Sequence, residues 1–470
     1  MSVDPLEALR ELIPATARAW IVGGAVRDEL LGRPTLDYDL AVEGDARPLA
    51  KQLGRLADGH AFLLSEEFGA WRVKGRSSGW QVDLTPLVGE TLEQDLRRRD
   101  LTVNAIAREL DGGDPIDPCG GVADLRSRRL RAAGPESFSA DPLRVVRLAR
   151  FHAELGFEAT PDTVALAAAS ASGLAAVAGE RVFQELRQLI GADGVLAGLA
   201  LLSRTGATAV VLPELEALRG VDQSVYHHLD VHDHTLAALA GVVELVRDPA
   251  ASFGAETAAA LAAVLAEPLA NEMNRGQALR IGALMHDIAK PQTRGVSAEG
   301  RVTFIGHDIA GARLCTEILT RLRASERLTA HVAALTRHHL RLGFLVHQQP
   351  LSRRSVYDYL STCAPVEVDV TVLSVADRLA TLGRSSEVAV PKHLELARSI
   401  MPAALAFRAD PPKPPIRGDQ LAAALGIQAG PELGELLAEL TAATYAGEVQ
   451  TPEQAVAHAR AQAVNVPADG

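Results

Sequence analysis

Aromatic residues are scarce in this chain, since Phe, Trp and Tyr together make up 4% of its 470 residues. The hydrophobic content is nevertheless an ordinary 47%, and most of it comes from Ala, Leu and Val. Ala and Leu are among the best helix formers, so this composition favours a protein rich in helices. At roughly one domain for every 150 residues, the length indicates about three domains.

Cysteine is almost absent as well. Cys119, Cys315 and Cys363 are odd in number and far apart, so they form neither a disulfide framework nor a metal-ligand pattern, and a reducing compartment fits them. No uninterrupted apolar run reaches the ~18 residues of a membrane span, and the first residues lack the basic region and apolar core of a signal peptide. We therefore expect a cytoplasmic protein with no membrane partner.

The chain also lacks an excess of positive charge, because its formal net charge is −12. This argues against a protein that coats nucleic acid nonspecifically over its whole surface. Arginine is nevertheless concentrated between residues 97 and 150, at Arg97, Arg98, Arg99, Arg126, Arg128, Arg129, Arg131, Arg144, Arg147 and Arg150. Such a cluster suits a local phosphate-binding face, although a solvated arginine-rich surface would give the same pattern.

The most informative stretch is residues 23–40, which ends with two carboxylates inside an apolar run, Asp37 and Asp39. On a strand the side-chain period is two, so both carboxylates point to one face. Two like charges that close repel one another unless a cation lies between them, and hard oxygen ligands select Mg²⁺ or Mn²⁺. The pair therefore predicts a metal site, although a lone Asp-X-Asp is common at solvated strand ends.

A Gly-Gly step, Gly23 and Gly24, precedes the carboxylates and follows another apolar run. It leaves backbone N–H groups at the start of the next helix, where a phosphate can bind, and Arg27 lies about one turn further on. A phosphate site followed by a metal-binding carboxylate pair predicts phosphoryl or nucleotidyl transfer.

With these residues the chain resembles the first motif of the class II, bacterial-type tRNA nucleotidyltransferases. This family contains the CCA-adding enzymes and their poly(A) polymerase relatives, within the polymerase-β-like superfamily. The resemblance implies that Asp37 and Asp39 are catalytic and hold Mg²⁺. Asp83, on a later strand, would complete the metal site as a third acid does in the wider superfamily, or it is simply a polar strand end before Thr85-Pro86.

Two further motifs follow in the order that the family has them. Arg99, Asp100 and Asn104 stand in an Arg-Arg-Asp motif, which in the family holds the sugar and phosphates of the nucleotide. Arginine offers a fork of donors to a triphosphate, and Asp100 and Asn104 can bind a ribose hydroxyl.

The second of these motifs begins with Asp141, whose side chain, like that of Ser139, can start a helix. Asp141, Arg144 and Arg147 recur every third residue and so share one face of this helix. A carboxylate accepts from the cytosine N4 amine and an arginine donates to N3 and O2, so the face can select a base. In the family it is the protein template, usually with an acid where this chain has Ala140.

One departure from the family concerns the connection after the strand near residues 80–84. Enzymes that add all three nucleotides carry an extended polar loop there, whereas here residues 85–90 lead almost directly into the helix before Arg99. In the family the loop is associated with switching from cytosine to adenine, and its absence with enzymes that stop after two cytidines. A separate A-adding enzyme would then complete the CCA end.

Beyond residue 220 the histidines are concentrated, and ten of the fourteen lie between His227 and His347. Their order, with a His-Asp doublet and a distant aspartate, resembles an HD domain, an all-helical metal-dependent phosphohydrolase fold. The resemblance implies a divalent metal site, of unknown metal identity, made by His234, His286, Asp287 and Asp377. Single histidines at such places are usually packing residues, but this ordered set is more specific.

Together these resemblances imply an α+β protein with a small mixed-sheet, polymerase-β-like nucleotidyltransferase head, followed by an all-helical neck, HD domain and tail. The expected bounds are 1–140 for the head, 141–220 for the neck with the base-templating helix, 221–400 for the HD domain and 411–470 for the tail.

We expect a nucleotidyltransferase that adds cytidines from CTP, CC only, to the tRNA 3′ end and releases pyrophosphate. The alternatives are a full CCA-adding enzyme that uses CTP and ATP, and a phosphohydrolase or 2′,3′-cyclic phosphodiesterase that acts on RNA ends through its HD domain.

Overall fold

A computed structural model describes residues 4–13, 18–76, 79–223, 228–383 and 386–464 of the chain. It contains two compact units, Met1–Val211 and Leu212–Gly470. The predicted HD domain includes residues 224–227 and 384–385, and the predicted tail includes residues 465–470. These three segments lie outside the described residues.

The first unit is built on a six-stranded sheet with the order β3-β4-β5-β2-β1-β6. The strands are β1 (Ala19–Val22), β2 (Asp37–Val42), β3 (Gly59–Ser65), β4 (Ala70–Gly75), β5 (Gln81–Pro86) and β6 (Ala107–Glu109). β2 and β5 are parallel and the other neighbours are antiparallel, so the sheet is mixed, as predicted. The register places Arg72, Asp83 and Asp39 beside one another on three adjacent strands.

Ten helices belong to this unit within the described residues. They are α1 (Pro5–Leu12), α2 (Gly24–Leu30), α3 (Ala46–Leu56), α4 (Leu92–Arg97), α5 (Gly121–Ser127), α6 (Arg144–Leu155), α7 (Pro161–Ser170), α8 (Gly179–Gly191), α9 (Val195–Arg204) and α10 (Ala207–Val211). Two short 3₁₀ turns, Thr102–Asn104 and Ala171–Ala176, and a two-stranded pair, β7 (Arg129–Leu130) with β8 (Glu158–Ala159), complete it. Side-chain oxygens of Asp4, Asp45, Thr91 and Thr160 accept backbone N–H bonds at the starts of four helices, which stabilises those ends.

The helix α6 starts at Arg144, later than the predicted start near Asp141. The N–H groups of the first three residues of α6 donate to carbonyls only three residues back, over 3.0 Å each, so residues 141–143 form a tighter turn before it. The apolar face of α6 packs against α8 and α9. Gly198 makes the approach of α9 possible, because a Cβ there would lie 2.9 Å from the carbonyl oxygen of Ala149.

The second unit is helical apart from short strands. Its helices are α11 (Pro213–Glu216), α12 (Val231–Arg247), α13 (Pro249–Phe253), α14 (Ala255–Ala266), α15 (Arg275–Met285), α16 (Lys290–Thr293), α17 (His307–Arg321), α18 (Glu326–His338), α19 (Arg341–Leu345), α20 (Arg353–Cys363), α21 (Glu367–Ala380), α22 (Ser386–Ala409), α23 (Gly418–Leu425), α24 (Pro431–Ala446) and α25 (Pro452–Val464). The strands are β9 (Pro268–Ala270), β10 (Met273–Asn274), β11 (Gly295–Val296) and β12 (Val302–Thr303), and Val346–Gln348 is a 3₁₀ turn.

The centre of this unit is α15, every residue of which is buried except Gln277. It packs against α12, α18 and α21, so the residues that follow its C-terminal end are also enclosed. The last three helices, α23 to α25, have a small core of their own around Leu421, Leu440 and Ala455. The predicted fold class, a mixed-sheet head followed by helical regions, is confirmed.

Among the described residues, no single helix is both long and apolar enough to cross a membrane. Only α20 and α21 taken together reach that length and composition, and they are bent by 98° at the break between them.

Candidate functional site

The residues predicted for the head come together in one cavity of the first unit, with a volume of about 560 Å³. Its lining includes Gly23, Gly24, Arg27, Asp37, Asp39, Arg99, Asp100, Asn104, Asp141, Arg144 and Arg147. We call it the first cavity. Asp83 does not line it.

Asp37 and Asp39 extend from β2 into the first cavity. Asp37 accepts a hydrogen bond of 2.8 Å from Nε2 of Gln81, its partner across the strand pair. No cationic side chain of the described residues forms an ion pair with either carboxylate. Desolvation in the cavity and the charges of Asp83 and Asp37 raise the pKa of Asp39 to about 6, although Arg99 and Arg147 oppose the shift. An excess of negative charge at two carboxylates that line a cavity fits a divalent cation such as Mg²⁺.

Asp83 lies next to Asp39 in the sheet, but its carboxylate binds Arg72 on the strand at its other side, β4. Nε of Arg72 donates to Oδ1 of Asp83, and Nη2 of Arg72 donates to Oδ2, over 2.6 Å each. The Asp83 side chain is 13% exposed. In this structure the third acid is therefore paired with an arginine and does not line the first cavity.

Gly23 allows two functional groups to approach the start of α2. Its φ of +70° is in the left-handed region that favours glycine. A Cβ at this position would lie 2.9 Å from Nη1 of Arg99 and 3.5 Å from Oδ2 of Asp39. Arg99 is held from its other side by Asp95, which accepts from Nη2 over 3.1 Å.

A chain of hydrogen bonds links four of the predicted residues that line the cavity. Nη1 of Arg27 donates to Oδ1 of Asn104 over 2.7 Å, and Nδ2 of Asn104 donates to Asp100 over 3.1 Å. Asp100 also accepts from Nε of Arg147 over 3.0 Å. Burial alone would raise the pKa of Asp100, but Arg147 and Asn104 hold it well below its usual range. Asp100 and Asn104 thus fix the positions of two arginines that line the cavity.

Sequence reasoning missed a cluster around the ring of Phe151, on α6. The guanidinium carbons of Arg150, Arg27 and Arg147 lie 4.3, 5.1 and 5.5 Å from the ring centroid. Buried Glu185, on α8, pairs with Arg150 over 3.1 Å and with Arg147 over 3.4 Å. The regular spacing of Arg144, Arg147 and Arg150 indicated that they share one face of a helix. Glu185 is distant in sequence, so no sequence pattern indicated that it would pair with them.

Arg144 is the first residue of α6, Asp141 lies in the turn before it, and both line the first cavity. Nη2 of Arg181, on α8, donates to Oδ2 of Asp141 over 2.9 Å and so holds this carboxylate in place. Nη1 of Arg144 donates to the carbonyl oxygens of Arg98 and Ser137, over 2.9 Å each. No carboxylate of the described residues forms an ion pair with Arg144, so the rest of its guanidinium group faces the cavity.

The connection between β5 and α4 is short and fixed. It consists of residues 87–91, and its backbone is held by hydrogen bonds. Leu87 N donates to Val42 O over 3.0 Å, Val88 N to Oδ1 of Asp95 over 3.2 Å, and Glu90 N to Oε1 of Gln94 over 2.8 Å. In this described part of the chain, no extended loop separates β5 from α4.

In the second unit, the residues predicted for the metal site also come together. Nε2 of His234 lies 2.9 Å from Oδ1 of Asp377 and 3.7 Å from Oδ2 of Asp287, and Nε2 of His286 lies 3.2 Å from that same Asp287 oxygen. All three of His234, His286 and Asp287 are buried. Their ligand atoms lie within 4.8 Å of one another, as required for a shared metal ion.

A second group of potential ligands lies on the other oxygen of Asp287. Nε2 of His307 and Nε2 of His339 lie 3.3 and 3.8 Å from Oδ1 of Asp287, and 3.3 Å from each other. Both histidines are in the sequence motifs of this region but were not among the predicted ligands. Because they are far apart in the chain, the sequence did not indicate that Asp287 lies between two sets of histidine nitrogens. The fold therefore provides a second group of potential ligands, which could hold a second ion.

Three of these histidines are held in the tautomer that a metal requires. Nδ1 of His286, His307 and His339 donates to the carbonyl oxygen three residues earlier, over 2.8, 2.7 and 2.7 Å. In the neutral form of each ring, the Nε2 atom therefore carries the lone pair that a metal can bind. Desolvation and the neighbouring His286 lower the pKa of His339 to about 4, so it is neutral near pH 7.

A cavity of about 350 Å³ opens beside this cluster. Its lining combines Asp287, His307, His339 and Asp377 with Gln223, Lys290, Phe304 and Arg378. Nζ of Lys290 lies 2.6 Å from Oδ2 of Asp287, and it also donates to Gln223 over 2.6 Å. Potential metal ligands and two cations around one cavity suit an anionic ligand.

Three known protein families match parts of this chain. The family described as poly A polymerase head domain matches residues 19–86 and 76–131. The family described as probable RNA and SrmB-binding site of polymerase A matches residues 156–218, and the HD domain family matches residues 256–382.

Curated relatives are similar over nearly the whole chain. An A-adding tRNA nucleotidyltransferase of Deinococcus radiodurans is 36% identical over 97% of this chain and 98% of its own length. A CC-adding tRNA nucleotidyltransferase of Thermus thermophilus is 34% identical over 93% and 92%. A multifunctional CCA protein of Xanthomonas campestris is 36% identical over 91% and 98%.

Solved structures share the fold at lower identity. A Thermotoga maritima CCA-adding enzyme in complex with tRNA has a TM-score of 0.62 at 20% identity, over 98% of this chain and 97% of its own. The apo form of a CCA-adding enzyme has a TM-score of 0.63, also at 20% identity, over 98% and 95% of the two chains.

Proposed function

This chain belongs to the family of tRNA nucleotidyltransferases of the CCA-adding type, and we propose that within this family it adds two cytidines, and no adenosine, to the 3′ end of tRNA. CTP is the proposed donor and pyrophosphate the second product. A separate A-adding enzyme would then complete the CCA end.

In the proposed reaction the 3′ hydroxyl of tRNA attacks the α-phosphorus of CTP, the bond to pyrophosphate breaks on the opposite side, and the hydroxyl proton leaves. Gly24, Arg27 and Arg99 bind the triphosphate, because they surround the part of the first cavity next to the carboxylates. Arg147 adds positive charge there, and Asp100 keeps it in place. Mg²⁺ held by Asp37 and Asp39 would stabilise the attacking and leaving oxygens.

Base selection is assigned to Asp141 and Arg144. An aspartate accepts from the N4 amine of cytosine, and an arginine donates to N3 and O2, so the two side chains together can bind the base edge of CTP. Arg181 fixes one oxygen of Asp141, and two backbone carbonyls fix one nitrogen of Arg144. These contacts hold both side chains in place before CTP binds, which supports base selection by a preformed pocket and not by induced fit.

The observation that carries the CC-only proposal is the short, hydrogen-bonded connection at residues 87–91. In this family the extended loop at that place is associated with the change from cytosine to adenine. A connection of five residues that is hydrogen-bonded to Val42, Asp95 and Gln94 is too short to move into the base pocket and change its shape.

The test is incorporation of labelled CTP and ATP, each alone, into tRNA that ends at the discriminator base, at C or at CC. CMP addition to the first two substrates and no AMP addition to the third would support the proposal. AMP addition onto CC, with CMP addition retained, would identify a full CCA-adding enzyme. AMP addition onto CC without CMP addition would identify an A-adding enzyme, an outcome that the 36% identity to the Deinococcus radiodurans protein makes necessary to test.

A second activity is proposed for the HD domain, namely metal-dependent hydrolysis of a phosphoester at an RNA end. The observation that favours it is the group of histidines around buried Asp287, with Lys290 and Arg378 beside the same cavity. A metal bound there would activate water toward the phosphoester. The test is a 2′,3′-cyclic phosphodiesterase assay after chelation and after readdition of Ni²⁺ or Mn²⁺. His286→Ala should abolish this activity and leave CMP addition intact, whereas Asp37→Ala should do the reverse.

A further inference from the structure

The ring of Phe151 lies among the positive charges of the first cavity. Its side chain is buried on α6, and the guanidinium carbons of Arg150, Arg27 and Arg147 all lie within 5.5 Å of the ring centroid. All four residues line the first cavity. One phenylalanine therefore contacts three arginines of the cavity to which the triphosphate is assigned.

These arginines come from two helices and pair with different acids. Arg27, on α2, binds its neighbour Asp28 over 2.8 Å. Arg147 and Arg150, on α6, share Glu185 at 3.4 and 3.1 Å. No carboxylate of the described residues forms an ion pair with Arg27 and also with an arginine of α6. The ring is therefore the group that all three guanidinium groups contact directly.

Positive charges this close to one another repel, and burial adds to the cost. Burial lowers the pKa of the Arg150 guanidinium group, Glu185 opposes this shift, and the charge of Arg147 adds to it. Arginine nevertheless keeps its charge near neutral pH. Before a nucleotide binds, the site needs a group besides Glu185 that offsets the repulsion and keeps the three guanidinium groups together.

An aromatic ring has the charge distribution for this task. Its faces carry partial negative charge and attract a cation within about 6 Å of the centroid, more strongly where water is excluded. Leucine would fill a similar apolar volume without this attraction. The phenylalanine therefore contributes electrostatically as well as by packing.

We propose that Phe151 is a positioning residue for triphosphate binding, whose ring holds Arg27, Arg147 and Arg150 together in the first cavity before the nucleotide arrives. The ring acts through the arginines and not through a contact with substrate. This assignment rests on the proposed triphosphate site but not on the choice of base, so it applies equally to CTP and ATP.

The competing explanation is that Phe151 only fills space between α6 and its neighbours. Fluorine atoms on the ring separate the two explanations. They withdraw electron density from the faces of the ring and weaken cation binding, while the shape and the apolar character change little. A packing role would tolerate them, whereas an electrostatic role would weaken with each fluorine.

The test replaces Phe151 by phenylalanine analogues that carry one, two or three ring fluorines, in the full-length protein. Calorimetric titration without tRNA measures Kd for CTP and for inorganic tripolyphosphate, which has the phosphates but no base. We expect log Kd to rise with each fluorine and Kd to increase about tenfold in total, by the same factor for both ligands. At saturating CTP, kcat for CMP addition should stay within about twofold, since the lost interaction acts on ground-state binding.

The matched control is the same fluorine series at Phe157. Phe157 is also buried and has one arginine, Arg128, at 5.5 Å from its ring centroid, but it does not line the first cavity. This series should leave Kd for both ligands unchanged. Thermal melts establish that each variant is folded at the temperature of the titration.

A constant Kd for tripolyphosphate across the Phe151 series would overturn the proposal, and so would equal responses of the Phe151 and Phe157 series. Phe151→Leu gives a second comparison. If it weakens tripolyphosphate binding while three fluorines do not, the ring acts by packing and the proposal is wrong.

The nearest cation can be tested by a double-mutant cycle. In an Arg150→Met background, three fluorines should raise Kd for tripolyphosphate by a smaller factor than in wild type, because one of the three contacts with the ring is gone. An unchanged factor would contradict the contribution of Arg150.

This proposal and the CC-only function can fail separately. If the wild-type protein adds AMP and not CMP, the CC-only function fails, but tripolyphosphate binding still tests Phe151 because this ligand has no base. If wild type adds CMP and Kd is constant across the fluorine series, only the assignment of Phe151 fails.

Discussion

Arg72 binds the carboxylate of Asp83 with two hydrogen bonds of 2.6 Å, directly beside the strand that carries Asp39. An arginine fork of this kind occupies both oxygens of the acid. The pairing leaves Asp83 to act on the site through its charge, which is one of the causes of the raised pKa of Asp39. The proposed metal ligands are then Asp37 and Asp39 alone.

The first prediction concerns the unequal importance of these acids. Asp39→Asn should lower kcat for CMP addition by about 10³-fold or more, because it removes a ligand that stabilises charge in the transition state. Asp83→Asn should lower kcat by only about tenfold, as expected when a residue acts through a ligand. Mg²⁺ titrations of activity should give similar midpoints for Asp83→Asn and wild type.

The control for this prediction is a double-mutant cycle of Arg72→Ala and Asp83→Asn. If Arg72 acts only by holding Asp83, the double variant should be no worse than the poorer single variant. A loss of kcat in Asp83→Asn as large as that in Asp39→Asn would mean that Asp83 is itself a metal ligand.

The raised pKa of Asp39 predicts a stability effect in the absence of metal. Because the folded-state pKa of about 6 lies above the usual value near 4, the folded protein binds the proton more tightly than the unfolded chain. Stability of the metal-free protein should fall as pH rises from about 4 to about 6 and remain lower above that. In EDTA at pH 8, Asp39→Asn should therefore melt at a higher temperature than wild type, and at pH 4 the two should melt together.

Thermal melts with and without Mg²⁺ check this prediction. Added Mg²⁺ should raise the melting temperature of wild type more than that of Asp39→Asn. If Asp39→Asn melts below wild type in EDTA at pH 8, groups other than a metal stabilise the charged carboxylate. The predicted destabilisation of the metal-free protein by this charge would then be wrong.

The head site could be predicted where its chemistry is local in sequence. The two-residue spacing of Asp37 and Asp39 placed both on one strand face, and the Gly-Gly step predicted a turn before α2. The pairing of Asp83 with Arg72 could not be predicted, because it depends on the register of a hairpin and on which of many arginines lies opposite. The same is true of Glu185, which reaches Arg147 and Arg150 from another helix.

For the HD domain, sequence order predicted one set of potential ligands but not the geometry of the cluster. His307 and His339 belong to helix termini far apart in the chain, and only the packing of α15, α17 and α18 brings them to the second oxygen of Asp287. A string of ten histidines contains no information about which of them face one carboxylate.

This geometry predicts two metal ions for the HD domain. Elemental analysis of an Asp37→Ala, Asp39→Ala double variant, which lacks the proposed head ligands, loaded with Mn²⁺ or Ni²⁺ and passed through a desalting column should find two ions per chain. The same double variant is the background for the ion counts of the HD variants, and their CMP addition is measured in the otherwise wild-type chain. His339→Ala should retain one ion and His234→Ala the other, whereas Asp287→Ala should retain neither, because its carboxylate lies in both groups. CMP addition should be unchanged in all three. Two ions retained by His339→Ala would exclude its role as a ligand.

The last prediction concerns Gly23, where backbone conformation and close contact act together. Gly32 also has a positive φ, +67°, but a Cβ there meets no heavy atom within 4 Å. Gly32→Ala should therefore destabilise the protein by about 1 to 2 kcal/mol, the cost of a left-handed alanine, and leave CMP addition unchanged. Gly23→Ala has a larger backbone cost, because Gly23 has φ +70° and ψ −128°, outside the left-handed helical region, and it also places a methyl group 2.9 Å from Nη1 of Arg99.

The extra contact at Gly23 should appear in activity as well as in stability. Arg99 must move away from the triphosphate side of Asp39, and a displacement of about 1 Å at a positioned group can cost about 10²-fold in rate. We expect kcat/KM for CTP to fall by roughly that factor in Gly23→Ala, measured by CMP incorporation at a temperature where melts show both variants folded. If Gly23→Ala and Gly32→Ala have equal activity, Arg99 does not depend on the space above Gly23, and its proposed role in binding the triphosphate would be wrong.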